Sequence, residues 1–298
     1  MKHYAVTGAA GFLGMNLVEC LLRHGYFVYA IVRPNSAHNQ RLHGLTNVAV
    51  IECELADYDQ LAEYIHTPCD GPCDGFFHLA WQGARDDFSA QIANIKPTLA
   101  VLQVAKKLGC KRFLATGSQA EYGALNTEMP TNETALPYPV NAYGAAKLAT
   151  CMLTRERAQE LGIAWLWARV FSVYGKYEPK GRMLPELVAA LKHDEDFTLC
   201  STGTQWWDFV AAYDAAEALL ALMERGKAGE IYDLADGRPR VLKDFIFAAS
   251  RIFYPTARII YGEESALGLR PSTAKLRQDT GWKPQRTFED GLLQEYGK

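Results

Sequence analysis

Short apolar runs alternate with helical hydrophobic periods over the first two-thirds of the chain. The apolar runs predict strands over Tyr4–Thr7, Phe27–Val32, Val48–Ile51, Gly75–Leu79, Arg112–Thr116 and Ala164–Val170. Between the first two, Leu13, Leu17 and Leu21 recur every fourth residue and predict a helix that Gly25 would end. Longer helical patterns cover Phe88–Leu108 and Ala142–Leu161. This alternation is typical of an α/β protein with a parallel sheet and crossover helices.

The regular alternation weakens after about residue 172. Helical patterns over Leu184–Lys192, Asp214–Glu224 and Leu242–Phe253 there alternate with the short apolar runs Phe197–Cys200 and Ile231–Leu234. We therefore expect a first domain over residues 1–172 and a smaller α/β lobe over 173–298. The two parts are expected to be interleaved.

Composition excludes several classes of protein. The chain has 298 residues, is 49% hydrophobic and carries a formal net charge of −3, so neither nucleic acid nor an anionic membrane is expected as a partner. It enters its first strand directly and contains no apolar stretch of membrane-spanning length, which predicts a cytoplasmic protein. Cys69 and Cys73 lie close together, but no second Cys/His pair follows at a zinc-ligand spacing, so no metal site is expected.

A glycine loop follows the first predicted strand. In Thr7-Gly8-Ala9-Ala10-Gly11-Phe12-Leu13-Gly14, Gly8 permits a tight turn, Gly11 lets the backbone approach a pyrophosphate, and Gly14 lets helix and strand pack closely. The N–H groups at the start of the following helix would face the phosphates. This position in the chain predicts a dinucleotide-binding domain.

The end of the second strand bears on the choice of dinucleotide. Ile31-Val32-Arg33-Pro34-Asn35-Ser36 has no acidic residue to bind the adenine ribose, whereas Arg33 is suited to a 2′-phosphate, with Ser36 and Arg41 nearby. The sequence therefore favours NADP, with NAD as the alternative.

Three polar residues form a candidate catalytic group. Tyr143 and Lys147 lie four residues apart, on one face of a predicted helix, where the lysine charge would lower the pKa of the tyrosine. Ser118 follows the strand Arg112–Thr116 and is expected at the carboxyl edge of the sheet, where substrates bind. Its hydroxyl could bind the same substrate oxygen as Tyr143.

These features together resemble the extended short-chain dehydrogenase/reductase superfamily, which includes nucleotide-sugar epimerases, dehydratases and ketoreductases. The resemblance spans the chain and includes the glycine loop, His78-Leu79-Ala80, Gly117-Ser118-Gln119-Ala120-Glu121-Tyr122-Gly123, Arg169-Val170-Phe171-Ser172-Val173-Tyr174-Gly175 and Gly281-Trp282-Lys283-Pro284. It implies a Rossmann-type doubly wound sheet, a catalytic triad of Ser118, Tyr143 and Lys147, and a homodimer. Further cofactor contacts implied by it are Leu79, Ala80, Asn94, Phe171 and Ser172.

The departures from the family pattern narrow the expected reaction. Dehydratases place an Asp-Glu pair where this chain has Gln119 and Ala120, which argues against dehydration. Trp207 stands where the family usually has an arginine that contacts a nucleotide phosphate, and Arg270 could supply that charge. Sugar contacts are expected from Trp81, Gln119 and Glu121, although a surface-loop role explains Trp81, and loop packing explains Glu121, about equally well.

Three functions remain at this stage. The leading hypothesis is NAD(P)H-dependent reduction of the C4 keto group of a nucleotide-diphosphate 4-keto-6-deoxyhexose, with Tyr143 as the acid, Lys147 tuning it and Ser118 polarising the carbonyl. The first alternative is an NAD-dependent UDP-hexose 4-epimerase that uses the same three residues. The second alternative is a non-catalytic NADP-sensing regulator.

Overall fold

The fold is a wide parallel sheet with helices on both faces and a smaller lobe at one edge. We describe residues 1–65, 73–123, 130–254, 258–264 and 268–297 of a computed structural model. The strands are β1 His3–Thr7, β2 Phe27–Val32, β3 Val48–Glu52, β4 Gly75–His78, β5 Arg112–Ser118, β6 Ala164–Val170, β7 Ser172–Tyr174, β8 Phe197–Ser201, β9 Trp206–Trp207, β10 Phe209–Ala211, β11 Glu230–Leu234, β12 Arg240–Val241 and β13 Ile259–Glu264. The α-helices are α1 Phe12–Arg23, α2 Leu61–Tyr64, α3 Phe88–Ala93, α4 Ile95–Lys107, α5 Ala142–Leu161, α6 Met183–Lys192, α7 Ala212–Arg225, α8 Leu242–Phe253, α9 Ala274–Thr280 and α10 Phe288–Tyr296.

Seven strands form the main sheet in the order β11-β6-β5-β4-β1-β2-β3, and every pair is parallel. From β1 the chain adds β2 and β3 on one side, and from β4 it adds β5 and β6 on the other side. The order of the strands thus reverses between β1 and β4, which places a crevice outside the carboxyl ends of these two strands. This arrangement confirms the predicted Rossmann-type doubly wound fold. The strand β11 comes from the second part of the chain and completes the sheet at the edge beside β6.

The predicted helix over Phe88–Leu108 is divided into two, which corrects the sequence expectation. The helix α3 ends at Ala93, and α4 begins at Ile95 with Pro97 in its first turn. Proline has no N–H to donate to a preceding carbonyl, so it is tolerated only where a helix begins. Asn94 lies at the junction, and its side chain donates to the Ala90 carbonyl at 2.7 Å.

Other predicted boundaries are confirmed within one or two residues. The helix α5 spans Ala142–Leu161, as predicted, and begins with the Asn141 side chain accepting a hydrogen bond from Gly144 N at 2.8 Å. The helix α1 ends at Arg23, and Gly25 follows in the left-handed region with φ 73°. The strand β5 extends to Ser118, two residues beyond the predicted end.

The smaller lobe packs around its own apolar cluster. Short strand pairs β7–β10, β9–β12 and β8–β13 surround a core that includes Leu187, Phe245 and Phe288. The rings of Phe245 and Phe288 meet edge to face at 4.7 Å. Among the described residues, no helix is both long and apolar enough to cross a bilayer.

Candidate active site

The glycine loop joins β1 to α1 at the crevice. Gly8 has φ 69°, and a Cβ there would lie 2.9 Å from Ala80 N. A Cβ on Gly14 would lie 2.0 Å from Gly8 O, so this close packing of helix and strand requires glycine. Gly11 is the N-cap of α1 and provides no side-chain cap, which leaves the first N–H groups of the helix available to a phosphate. The loop therefore fits a dinucleotide pyrophosphate.

A cleft of about 500 Å³ runs from this loop to the end of β5. It is lined by most of the predicted cofactor and catalytic residues, namely Gly8, Gly11, Phe12, Leu13, Arg33, Leu79, Ala80, Ser118, Tyr143, Lys147 and Phe171, and by Trp81, which was predicted to contact the substrate. The volume and the elongated set of lining elements suit a dinucleotide.

One end of the cleft lies beyond β2 and β3. Arg33 is exposed there, and Ser36 caps a short 3₁₀ helix over Ala37–Leu42. Arg41 turns away, donating to Ala10 O at 2.9 Å with its guanidinium 4.9 Å from the Tyr177 ring centroid. Glu54 also lines this end.

The other end holds the candidate catalytic residues. Ser118 is the last residue of β5, and Tyr143 and Lys147 lie one turn apart on α5. Lys147 is 4% exposed, and its Nζ donates to Thr116 O at 2.8 Å and lies 3.7 Å from the centroid of the Trp81 ring. The Trp81 ring also meets that of Tyr143 edge to face at 6.2 Å. The tertiary structure thus brings residues from β5, α5 and the loop after β4 into one group.

Burial controls the titration of this group. It lowers the pKa of Lys147 to about 7, against a smaller opposing effect of the Glu121 charge. Burial also raises the pKa of Tyr143, whereas a hydrogen bond with Ser118 and the positive charges of Arg85 and Arg182 lower it. Positive charges and hydrogen-bond donors near Tyr143 therefore favour its phenolate, whereas burial disfavours it.

Asn94 acts on the cleft through a loop. Its Oδ1 accepts from Gln82 N at 2.9 Å, and its Nδ2 donates to Gln82 O at 3.0 Å. Trp81 is held in addition by Gln91, whose Oε1 accepts from the indole at 2.8 Å. Asn94 is 1% exposed and does not line the cleft. The expected direct cofactor contact is thus replaced by support of the loop that carries Trp81.

Glu121 lies in the core, so of the two alternatives that the sequence left open the structure favours packing over a sugar contact. Its side chain is 0% exposed. Oε1 accepts from Ser118 N and from Trp167 Nε1, both at 2.9 Å, and Oε2 accepts from Arg169 Nε at 2.8 Å. A carboxylate with three buried donors has no face left for a ligand. Its role here is to hold the chain at Ser118.

A second pocket of about 430 Å³ adjoins the catalytic end and is lined by Gln119, Trp206, Trp207 and Arg85. Arg85 lines both cavities, and its guanidinium lies 5.0 Å from the centroid of the Tyr143 ring. Arg270 lies at the edge, with its guanidinium 4.2 Å from the Trp206 ring centroid, and lines a separate cavity of about 270 Å³.

Two remaining sequence expectations fall outside the cleft. Ser172 begins β7 and pairs with Phe209 of β10, and Gly14 contributes packing rather than lining. Sequence reasoning missed Arg182, the N-cap of α6, which lines the cleft from the smaller lobe. Its only local signal is a cation just before a helical pattern.

Of the pair Cys69 and Cys73, Cys69 lies outside the described residues. Within the described ranges, one group of metal-binding residue types, Cys20, His24 and Glu217, brings its donor atoms within 4.8 Å of one another. Arg23 pairs with the same carboxylate at 3.1 Å. This cation already balances the Glu217 charge, so the arrangement is explained as an ion-pair cluster between α1 and α7.

The doubly wound sheet, the glycine loop and the Ser–Tyr–Lys group define a protein of the extended short-chain dehydrogenase/reductase class. The chain belongs to the NAD dependent epimerase/dehydratase family, whose model matches residues 4–235.

Curated relatives cover nearly the whole chain. A CDP-abequose synthase from Salmonella typhimurium is 25% identical over 98% of this chain and 97% of its own length. A dTDP-glucose 4,6-dehydratase from Xanthomonas campestris is 24% identical over 99% and 92%.

Solved structures share the fold at similar identity. A UDP-glucose 4-epimerase from Thermotoga maritima, solved with UDP-glucose, superposes with a TM-score of 0.86 at 24% identity, covering 98% of this chain and 97% of its own. A UDP-glucuronic acid 4-epimerase from Bacillus cereus, solved with UDP-glucuronic acid and NAD, has a TM-score of 0.85 at 24% identity over 99% and 98%.

Proposed function

We propose that this chain is an NAD(P)H-dependent reductase of the C4 keto group of a nucleotide-diphosphate 4-keto-6-deoxyhexose. The observation that carries the proposal is the convergence of Ser118, Tyr143 and Lys147 in a dinucleotide-sized cleft, which shares the lining residue Arg85 with a second pocket. The relative named CDP-abequose synthase supports a deoxysugar substrate. Gln119 and Ala120 carry no acid or base for the removal of water, which favours reduction over dehydration.

The three residues would divide the work at the substrate oxygen. The glycine loop, Leu79 and Ala80 would hold the dinucleotide, which supplies a hydride to C4 when bound. Tyr143 gives its proton to the alkoxide that forms, and the Ser118 hydroxyl stabilises the same oxygen. Lys147 provides the positive charge that favours the phenolate left behind. Its fixed position above Trp81 keeps that charge close to Tyr143.

NADP is the proposed dinucleotide, because the exposed guanidinium of Arg33 borders the cleft at the end of β2. A 2′-phosphate is a bidentate partner for arginine. NAD remains the alternative, since the family is named for it and the Bacillus cereus epimerase holds it.

The experiment is to follow the near-ultraviolet absorbance of NADPH, and separately NADH, with a panel of nucleotide-linked 4-keto-6-deoxyhexoses. We expect stoichiometric oxidation with one of them, and loss of turnover in Tyr143→Phe with dinucleotide affinity retained. Unchanged turnover in that variant would refute the mechanism.

A UDP-hexose 4-epimerase is the second candidate, favoured by the similarity to the Thermotoga maritima structure. Conversion of a UDP-hexose to its C4 epimer with no net change in nicotinamide absorbance, by protein that copurifies with NAD, would establish it. A regulator without catalysis is disfavoured because all three catalytic residues are present. It would show dinucleotide binding and no turnover on either panel.

The proposed assembly is a homodimer through α3 and α5. Phe88 and Ile92 on α3 are 67% and 50% exposed, and Met152 and Leu153 on α5 are 46% and 47% exposed. Large apolar side chains grouped on neighbouring helices are suited to burial against a second copy. Light scattering that gives the mass of a monomer at micromolar concentration would overturn this assignment.

A further inference from the structure

Two arginine side chains border the cleft beside Tyr143, and they come from different lobes. Arg85 lies in the loop after β4, and Arg182 is the N-cap of α6 in the smaller lobe. Both line the cleft that contains Tyr143, and Arg85 also lines the second pocket. Their positive charges act on the same phenol, because each lowers the pKa of Tyr143.

Neither guanidinium has a carboxylate within 4.0 Å in the described part of the chain. Each lies over an aromatic ring instead, with Arg85 at 5.0 Å from the Tyr143 centroid and Arg182 at 5.7 Å from that of Phe12. The nearby Asp87 is engaged as the cap of α3, accepting from Ala90 N at 3.0 Å.

Other arginines of the chain show the contrast. Arg240 of β12 pairs with Glu289 of α10, and Arg238 pairs with Asp236, each at 2.6 Å, so both arginines join parts of the smaller lobe. Arg85 and Arg182 hold no such structure together. Both are exposed, so they retain a full set of donors that face a cavity.

We propose that Arg85 and Arg182 together bind an anionic group of the substrate next to Tyr143, either a phosphate of the nucleotide diphosphate or a carboxylate on the sugar. This inference rests on the proposed nucleotide-sugar substrate. The planar guanidinium fork binds either anion with two parallel hydrogen bonds. Because one arginine comes from each lobe, the anion would also fix the orientation of the smaller lobe over the catalytic group.

The test is binding calorimetry with UDP-glucose, UDP-glucuronate and their CDP and dTDP counterparts. The variants are Arg85→Ala, Arg182→Ala, Arg85→Lys and Arg182→Lys. Arg258→Ala is the matched control, since its side chain is 77% exposed and its carboxylate partner lies 3.9 Å away, in the smaller lobe. We expect each alanine variant to lose about tenfold or more in affinity for the nucleotide sugar that binds best. The lysine variants should retain part of that affinity, and the control should match the wild type.

The two sources of the anion give different results. Equal losses for the glucose and glucuronate forms identify the diphosphate as the bound group, whereas a loss confined to the glucuronate form identifies the sugar carboxylate. Both arginines line the cleft but their proposed partner is the substrate and not the dinucleotide, so NADPH affinity should change by less than about twofold.

Failure of this inference is distinguishable from failure of the proposed function. If both alanine variants bind the nucleotide sugars as tightly as the wild type does, the role of the arginines is refuted and the proposed function still stands. Alanine variants that lose NADPH affinity instead of sugar affinity also refute that role. A wild type that binds none of these nucleotide sugars, and no nucleotide-linked 4-keto-6-deoxyhexose of the reductase panel either, refutes the proposed function and this inference with it.

Discussion

Replacement of Glu121 by glutamine should strongly destabilise the protein, although the two side chains have nearly the same shape. Glu121 and Arg169 form an ion pair at 2.8 Å, with side chains 0% and 1% exposed. The glutamine oxygen could still accept from Ser118 N and Trp167 Nε1, but its amino group would then face the Arg169 Nε donor. The variant would leave a buried guanidinium without its counter-ion.

The expected loss in free energy of unfolding follows from this burial. Removal of one partner from a buried ion pair costs about 3–5 kcal/mol, because the remaining charge stays desolvated. Arg169 keeps one polar partner, since its Nη1 donates to the Tyr122 hydroxyl at 2.9 Å. We therefore expect about 3 kcal/mol, the lower end of that range.

The assay is urea unfolding followed by the fluorescence of the six tryptophans, of which Trp165 and Trp167 lie in the core beside the ion pair. The matched control is Glu160→Gln, which removes an ion pair with Arg157 whose side chains are 63% and 39% exposed. Exposed pairs contribute about 0–1 kcal/mol. Denaturation midpoints should differ between the two variants at equal dependence on denaturant.

A Glu121→Gln variant within about 1 kcal/mol of Glu160→Gln would refute the reasoning, because it would place the buried pair in the range of exposed ones. A double-mutant cycle with Arg169→Gln provides a second measurement. We expect a coupling free energy of about 1–3 kcal/mol, because the double variant no longer buries an unpaired charge.

Three further predictions concern the cleft. Lys147→Met should abolish turnover and, in the cofactor-free protein, should remove a pH dependence of stability. Burial lowers the native pKa of Lys147 to about 7, so between pH 7 and 9 the unfolded chain binds one more proton than the native protein. The free energy of unfolding of the wild type should therefore fall by about 2 kcal/mol more than that of the variant when the pH is lowered from about 9 to about 7. If urea unfolding gives the same pH dependence of the free energy of unfolding for both proteins, this reasoning is wrong. Arg33→Ala should raise the KM for NADPH about tenfold and leave that for NADH unchanged, as measured by steady-state kinetics. An equal rise in both KM values would show that Arg33 does not contact the 2′-phosphate. Asn94→Ala should lower the free energy of unfolding by about 1–3 kcal/mol and should speed hydrogen exchange of the Trp81 and Gln82 amides, because both hydrogen bonds to Gln82 are lost. Amides that stay protected in the variant would show that other contacts hold the loop.

The sequence by itself determined the elements whose causes are local. The alternation of apolar runs and helical periods predicted the sheet, and Phe27–Val32, Ala164–Val170 and α5 were predicted with their observed bounds. The glycine loop and the Tyr143–Lys147 spacing were also readable, because both depend on residues within one or two turns of one another. The division of the helix at Asn94 was missed, although Pro97 stood in the sequence as its signal.

Only the tertiary structure decided which polar residues face the cleft. Glu121 and Arg85 are both charged residues in loops beyond strands, yet one is buried by Arg169 of β6 and the other borders two cavities. Arg182 lies 39 residues after Tyr143 and in the smaller lobe, yet both residues line the dinucleotide-sized cleft. Burial and the presence of a counter-ion are set by long-range packing, and local spacing carries no information about either.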